Sequence, residues 1–340
     1  MLGMDMTNAV TQGIPQTTAP RETRSFAHGL SIATLGPLIA LLLAGIFFTT
    51  QSDRFLTGPN LSLVAQQVMV VGTLAIGQTL IILTAGIDLS NGAVMALGTI
   101  VMTSLAVNAG LNPIAAILIG LAVCSAFGAL NGLLVTRVRL PPFIVTLGTL
   151  NIAFALTHIY SREQTVSNLP DVMTFFGSTF RMAGTNITYG TVLTVVLFLV
   201  AWYVLSQTGV GRHVYALGNN PEAARLTGIN TRRLLLGVYT VAGLIYGLAG
   251  LLLVARTSVG DPNAGQTDNL DSITAVVLGG TSLFGGRGGV IGTLIGALIV
   301  GIFRNGLQLI GVASIYQVLI TGVLVILAVA VDQVARRRQA

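Results

Sequence analysis

Gly211-Arg-His-Val-Tyr-Ala-Leu-Gly-Asn-Asn-Pro-Glu-Ala-Ala-Arg-Leu-Thr-Gly228, followed by Ile229 and Asn230, is a polar stretch between two long apolar segments. A helix start is written inside it. Asn220 suits an N-cap, Pro221 suits the first helical position, and Glu222 places a negative charge against the positive end of the helix. Small Ala223 and Ala224 leave a low surface that another protein can approach closely. Arg225 follows, and Gly228 can end the helix in a left-handed conformation. Two readings follow from the stretch alone: an ordinary capped loop helix, or a docking element for a second chain.

The segments on either side decide the class. The chain is 53% hydrophobic and only 8% charged, whereas a soluble domain is about 25% charged. Its apolar residues gather into runs of about 20, the length that crosses a hydrocarbon core of roughly 30 Å. The expectation is an all-α polytopic membrane protein of about ten transmembrane helices, with spans near 30–50, 61–85, 90–108, 113–136, 143–160, 187–205, 234–254, 270–283, 290–310 and 315–331. The run at 270–283 is too short for a full perpendicular crossing and reads as a broken or re-entrant helix. The net charge of +6 marks cytoplasmic ends of spans, and no nucleic-acid partner follows from it.

Arginine placement orients the chain. With ten crossings and both termini cytoplasmic, 12 of the 17 basic residues face the cytoplasm: Arg21, Arg24, Arg137, Arg139, Arg212, Arg225, Arg232, Arg233, Arg287 and Arg336 to Arg338. Arg54, Arg162, Arg181 and Arg256 fall outside and Arg304 lies within an apolar run, while Asp53, Glu163, Asp171, Asp261, Asp268 and Asp271 gather in outer loops. The bias obeys the positive-inside rule. Residues 1–27 then form a disordered cytoplasmic tail, 28–335 the transmembrane domain with a cytoplasmic loop at 206–233, and 336–340 a short basic tail. The longest outer loop, 161–186, is a platform for an extracytoplasmic partner.

All 17 residues of the lysine-plus-arginine count are arginine. The glycine-rich run from Gly279 to Gly289 therefore lacks the lysine of a phosphate-binding Walker loop, and ATP hydrolysis has to come from another chain. Cys124 is alone, so no intrachain disulfide forms, and no metal site or catalytic residue is expected.

Two stretches look alike at an offset of 194: Gly86-Ile-Asp-Leu-Ser-Asn-Gly92 leading to Gly98-Thr99, and Gly280-Thr-Ser-Leu-Phe-Gly-Gly286 leading to Gly292-Thr293. Both read as glycine-rich breaks that restart a helix, or as remnants of a repeat. Asp88 lies in the first. It suits the N-cap of a helix beginning near Leu89, and it could equally bind the ion of an ion-coupled carrier. Neutral polar residues within or beside the spans are candidates for a translocation path or its helix breaks: Gln78, Thr84, Gly86, Ser90, Asn91, Asn131, Asn151, Gly280, Thr281, Ser282 and Asn305. Interhelical hydrogen bonding explains them as well, with Gly128, Gly132, Gly243, Gly247 and Gly250 letting helices approach.

The stretch Gly211–Gly228 resembles the EAA loop of ABC importer permeases. Together with Gly86–Gly92, Leu140-Pro-Pro-Phe-Ile-Val-Thr-Leu-Gly-Thr149, Val277–Gly289 and Ile291–Ala297, it makes residues 60 to 330 resemble the ribose/galactose/xylose-type permeases of ABC sugar importers. The resemblance implies a vitamin B12-importer-like (type II) permease fold in the bacterial cytoplasmic (inner) membrane. It implies a permease homodimer or heterodimer, an ABC ATPase subunit carrying ATP and Mg, and an extracytoplasmic sugar-binding protein. This chain itself would bind no cofactor. Related permeases carry nucleosides, furanone signals or branched-chain amino acids. Asn91 departs from the small aliphatic residue expected there, and the Ile-x-Leu-Pro ending of the general EAA pattern is absent.

Overall fold

The computed structural model describes residues 32–182 and 184–337; the segment read as an N-terminal tail and residues 338–340 lie outside the described residues. In chain order the helices are α1 (Ile32–Gln51), α2 (Gly58–Leu83), α3 (Asn91–Val107), α4 (Pro113–Leu133), α5 (Pro142–Ser161), α6 (Asp171–Thr174), α7 (Tyr189–Gln207), α8 (Gly209–Asn219), α9 (Pro221–Leu226), α10 (Thr231–Thr257), α11 (Asp268–Leu278), α12 (Val290–Leu309) and α13 (Ser314–Arg337). Among the described residues, six helices are long and apolar enough to cross a membrane: α2, α4 with its π-helical extension to Val138, α5, α7, α10 and α12. Shorter apolar stretches lie in α1, α3 and α13. The last helix continues to Arg337, into the segment read as a basic tail.

Local chemistry sets several helix ends. Asn112 accepts hydrogen bonds from the amides of Ile114 and Ala115, with Pro113 at the first helical position. The π-helical turn Leu134–Val138 ends at Arg139, which adopts a left-handed φ of 62°, and Pro141 and Pro142 then start α5. The long loop 161–186, expected on the outer side, is not wholly irregular. It contains α6, a 3-10 turn and an antiparallel hairpin of β1 (Thr179–Met182) and β2 (Thr185–Thr188), in the register Thr179↔Thr188. Among the described residues this hairpin departs from the all-α expectation.

Helices α2 and α10 form the centre of the molecule, while α4, α5 and α7 turn most of their apolar surface outward. The seam between α4 and α10 depends on glycine. A methyl at Gly128 would overlap the carbonyl oxygen of Tyr239, and one at Gly243 would overlap that of Cys124. Backbone contact at this closeness lets dispersion forces hold two helices together where lipid supplies no hydrophobic drive.

The connection from α10 to α11 positions the site. Gly260 pairs with Val166 of the outer loop through reciprocal backbone hydrogen bonds of 2.8 and 2.9 Å. The chain then descends without helix: Gly260 lies against Thr103 near the far end of α3, and Gly265 lies against Gly92 near its start. That is a descent of about 16 Å at helical rise. Only then does α11 begin. Its 11 residues span roughly 16 Å, about half the hydrocarbon core. The run expected at 270–283 is thus a half-helix starting at Asp268, preceded by a non-helical leg of consecutive turns over 262–267. Non-helical backbone at such depth persists only where protein buries it or where it lines a polar cavity.

Candidate translocation and coupling site

The broken crossing lines such a space. A cavity of about 450 Å³ lies among α2, α11, α12 and α13, with Gln67, Arg256, Asp271, Arg304, Gln308 and Gln317 among its walls. A second, of about 380 Å³, shares Arg256, Thr267 and Arg304 with it and adds Asp261 and Asp268. Both sizes fit a small-molecule site. Arg304 Nη1 lies 3.2 Å from Asp271 Oδ2 and 3.7 Å from Asp268 Oδ1. The two acids belong to the first turn of α11, where the helix dipole favours negative charge. With Arg256 opposite, cationic and anionic groups nearly balance. The side-chain oxygen of Gln67 is buried with no hydrogen-bond partner. Balanced charge with unengaged hydrogen-bonding groups suits a neutral polyhydroxy solute better than an ion.

The path and break candidates singled out in the sequence fall into three groups, with Asn151 outside them. Gln78, Asp88, Ser90, Asn91 and Asn131 converge in one buried network. Asp88 Oδ1 accepts from the Ser90 amide at 2.7 Å and from its hydroxyl at 2.6 Å, and Asn131 donates to Ser90 Oγ at 3.1 Å. Asn91 donates to Gln78 Oε1 at 3.2 Å and to Ser272 Oγ of α11 at 2.8 Å. The helix after this break begins at Asn91, with Ser90 in the N-cap position and no side-chain cap bond. The expected N-cap role of Asp88 therefore shifts: its carboxylate closes a local turn on Ser90 instead. Gln78 Nε2, Asn91 Oδ1, Asn131 Oδ1 and Tyr239 Oη are buried without partners. Each such atom costs about 1–3 kcal/mol unless a polar guest or water meets it.

Thr84, Gly86, Gly280, Thr281 and Ser282 sit in the two helix breaks. Thr84 Oγ1 donates to the Ile81 carbonyl at 2.8 Å and Thr281 Oγ1 accepts from the Gly289 amide at 3.2 Å. Asn305 belongs elsewhere, in a reciprocal amide pair with Asn60 at 2.9 Å each way. Asn151 does not join any of these groups. It is exposed on α5, and its amide donates to the carbonyl of Leu147 one turn back.

The stretch read as a docking loop is a pair of helices, α8 and α9. Asn220 Oδ1 accepts from the amides of Glu222 and Ala223 at 3.1 and 3.0 Å, Pro221 opens α9, and Gly228 takes a φ of +88°. Glu222 and Arg225 form an exposed ion pair, and that hydrogen bond and charge hold the Glu222 carboxyl below its ordinary range. The preceding residues form the additional helix α8, which sequence reading took as loop. Ala224 is buried and presents no surface to a partner. Leu226, by contrast, is 76% exposed. Its place at i+3 from Ala223 was a readable signal for an apolar knob beside the small residue.

Helix α8 touches the broken crossing. Tyr215 Oη donates to the Gly288 carbonyl at 2.9 Å, and its partial burial raises the phenol pKa. The backbone of Gly218 and Asn219 lies against Gly285 and Gly286, and the Gly286 amide donates to the Leu83 carbonyl at 3.0 Å. The two look-alike breaks therefore meet each other beneath α8. The loop they share leads directly into α11, which carries Asp271, and α12, which carries Arg304.

Comparison with known proteins agrees with this arrangement. Residues 60–329 match the family described as branched-chain amino acid transport system / permease component. The fructose import permease protein of Rhizobium meliloti is 45% identical over 93% of this chain and 89% of its own length. The ribose import permease proteins of Escherichia coli K12 and Bacillus subtilis are 42% and 39% identical, over 87% and 88% of this chain and 92% of their own lengths in each case. The chain belongs to this permease family, and these kin place it among the monosaccharide permease subunits of ABC importers.

Proposed function

We propose that the chain carries a monosaccharide inward across the bacterial cytoplasmic membrane as half of a permease dimer of the vitamin B12-importer-like kind, with about ten crossings and both termini inside. An extracytoplasmic binding protein delivers the sugar onto the hairpin end of the molecule, where Arg162, Glu163, Asp171 and Arg181 are available for charge pairing. The sugar enters the cavity beside Arg256, Asp271 and Arg304 and passes the network around Gln78 and Asn91. A separate ATPase, holding ATP and Mg, receives α9 with Leu226 and Ala223 at the contact.

One observation carries this reading. The half-helix α11 lines the cavity at its charged start, and at its other end it runs into the loop gripped by α8. A rigid-body shift of α8 and α9 is thereby transmitted to the cavity wall, since packed elements move as units between discrete arrangements. Uptake in proteoliposomes tests it. Sugar should accumulate only with ATP, the ATPase and the binding protein together. Robust uptake by the chain alone under a proton or sodium gradient would replace this reading with an ion-coupled carrier using Asp88.

A further inference from the structure

A third pocket, of about 480 Å³, opens at the same end of the molecule as α8 and α9, between the π-helical turn after α4 and the start of α10. Its polar wall is cationic: Arg137, Arg232 and Arg233. All three are exposed, and among the described residues none is in an ion pair. The π-helical turn widens the last coil of α4 and sets Arg137 across from the first turn of α10. Asn230 caps that turn by accepting the Arg233 amide at 3.0 Å. Three unpaired guanidinium groups around one space repel one another, and an anion in that space removes the repulsion.

The surface leading away from the pocket is apolar. Along α4, Leu133 and Leu130 follow Arg137 at 38% and 40% exposure. Along α10, Arg233 is followed one helical turn on by Gly237, where even an added methyl would meet nothing within 4 Å, and then by exposed Val241. Each stripe thus begins with arginine and continues as exposed hydrocarbon on the outward side of two helices that pack together through Gly128, Gly132 and Gly243.

We propose that this pocket binds the phosphate headgroup of an anionic phospholipid, with its acyl chains lying along the Leu133–Leu130 and Gly237–Val241 stripes. An acidic protein surface would engage the arginines and leave those stripes unused. A free phosphate would likewise bind the arginines alone. The lipid pins the α4–α10 seam on the side where α9 leads into α10. Basic pockets between membrane helices recognise anionic headgroups, and each arginine near such a surface contributes about fivefold in affinity.

The test is native mass spectrometry of the purified, full-length permease, loaded from mixed micelles of phosphatidylcholine with phosphatidylglycerol or cardiolipin. The wild type should retain the anionic lipid over phosphatidylcholine. The triple variant R137A/R232A/R233A should lose retention on the order of a hundredfold, whereas R162A/R181A at the other end should not. Leu133→Ser should weaken lipid retention while leaving the arginines in place. Two results would overturn the proposal: competition of the lipid by millimolar inorganic phosphate, which marks a free-anion site, or unchanged lipid retention in the triple variant with loss of the co-purified ATPase, which marks a protein contact. The readout is lipid mass and does not depend on transport.

Discussion

Gly218→Ala perturbs the one place where α8 presses on the broken crossing. A methyl at Gly218 would overlap the carbonyl oxygen of Leu83 and come within 2.6 Å of the Gly286 amide nitrogen. Both are backbone atoms that already share a hydrogen bond, so neither can rotate aside. Helix α8 has to retreat on the order of 1 Å, and overpacking of this kind costs about 1–3 kcal/mol. That corresponds to a fall of roughly 5- to 150-fold in the population with α8 seated. Because Tyr215 reaches Gly288 from the same helix, the retreat also stretches that bond. The assay is sugar uptake with binding protein and ATPase, beside ATP hydrolysis measured with and without binding protein. Uptake and its stimulation of hydrolysis should fall at least fivefold, while basal hydrolysis and membrane insertion persist. Gly148→Ala on α5, with open space at the same atom, is the control. Wild-type coupling in Gly218→Ala would refute the idea that force passes through this contact.

Other substitutions follow from the same geometry. Arg304→Ala leaves Asp268 and Asp271 without their counter-charge; because Arg304 is partly solvated, the loss should be about 1–2 kcal/mol, below that of a fully buried pair. Thermal unfolding in detergent reads this, and Arg304→Lys should recover most of it. Asn305→Leu strands the buried Asn60 oxygen at a cost of about 1–3 kcal/mol, whereas N60L/N305L should come closer to wild type; a double variant worse than either single would contradict the reciprocal pair. Leu226→Asp should abolish ATPase co-purification with normal membrane insertion, and retained co-purification would place docking elsewhere. The Glu222 carboxyl titrates below its ordinary value of 4.5. Its pairing with Arg225 is complete above that value and is lost only as pH falls through the lowered one. Coupling should therefore stay level from pH 8 to about 5 in any pH effect due to this pair.

The sequence alone determined the membrane class, because run length and scarcity of charge depend on no tertiary contact. It also determined the turn around Asn220, Pro221 and Gly228, since a cap and a left-handed glycine involve only neighbouring residues. The close approach of α4 and α10 was legible in Gly128 and Gly243 for a similar reason: a missing side chain permits contact whatever the partner. Tertiary structure decided the directions. A span that is apolar all round has no stripe to say which side faces inward, so the sequence could not separate Asn151, which faces outward, from Asn91, which joins a buried network. Ala224 turned inward and Leu226 outward because α9 rests on the molecule by one face. Asp268 and Asp271, which sequence reading assigned to an outer loop, entered the cavity wall because residues 258–267 fold back along α3 before α11 begins. That descent depends on Gly265 meeting Gly92, a contact between residues 173 positions apart, and hydropathy along the chain carries no record of such a meeting.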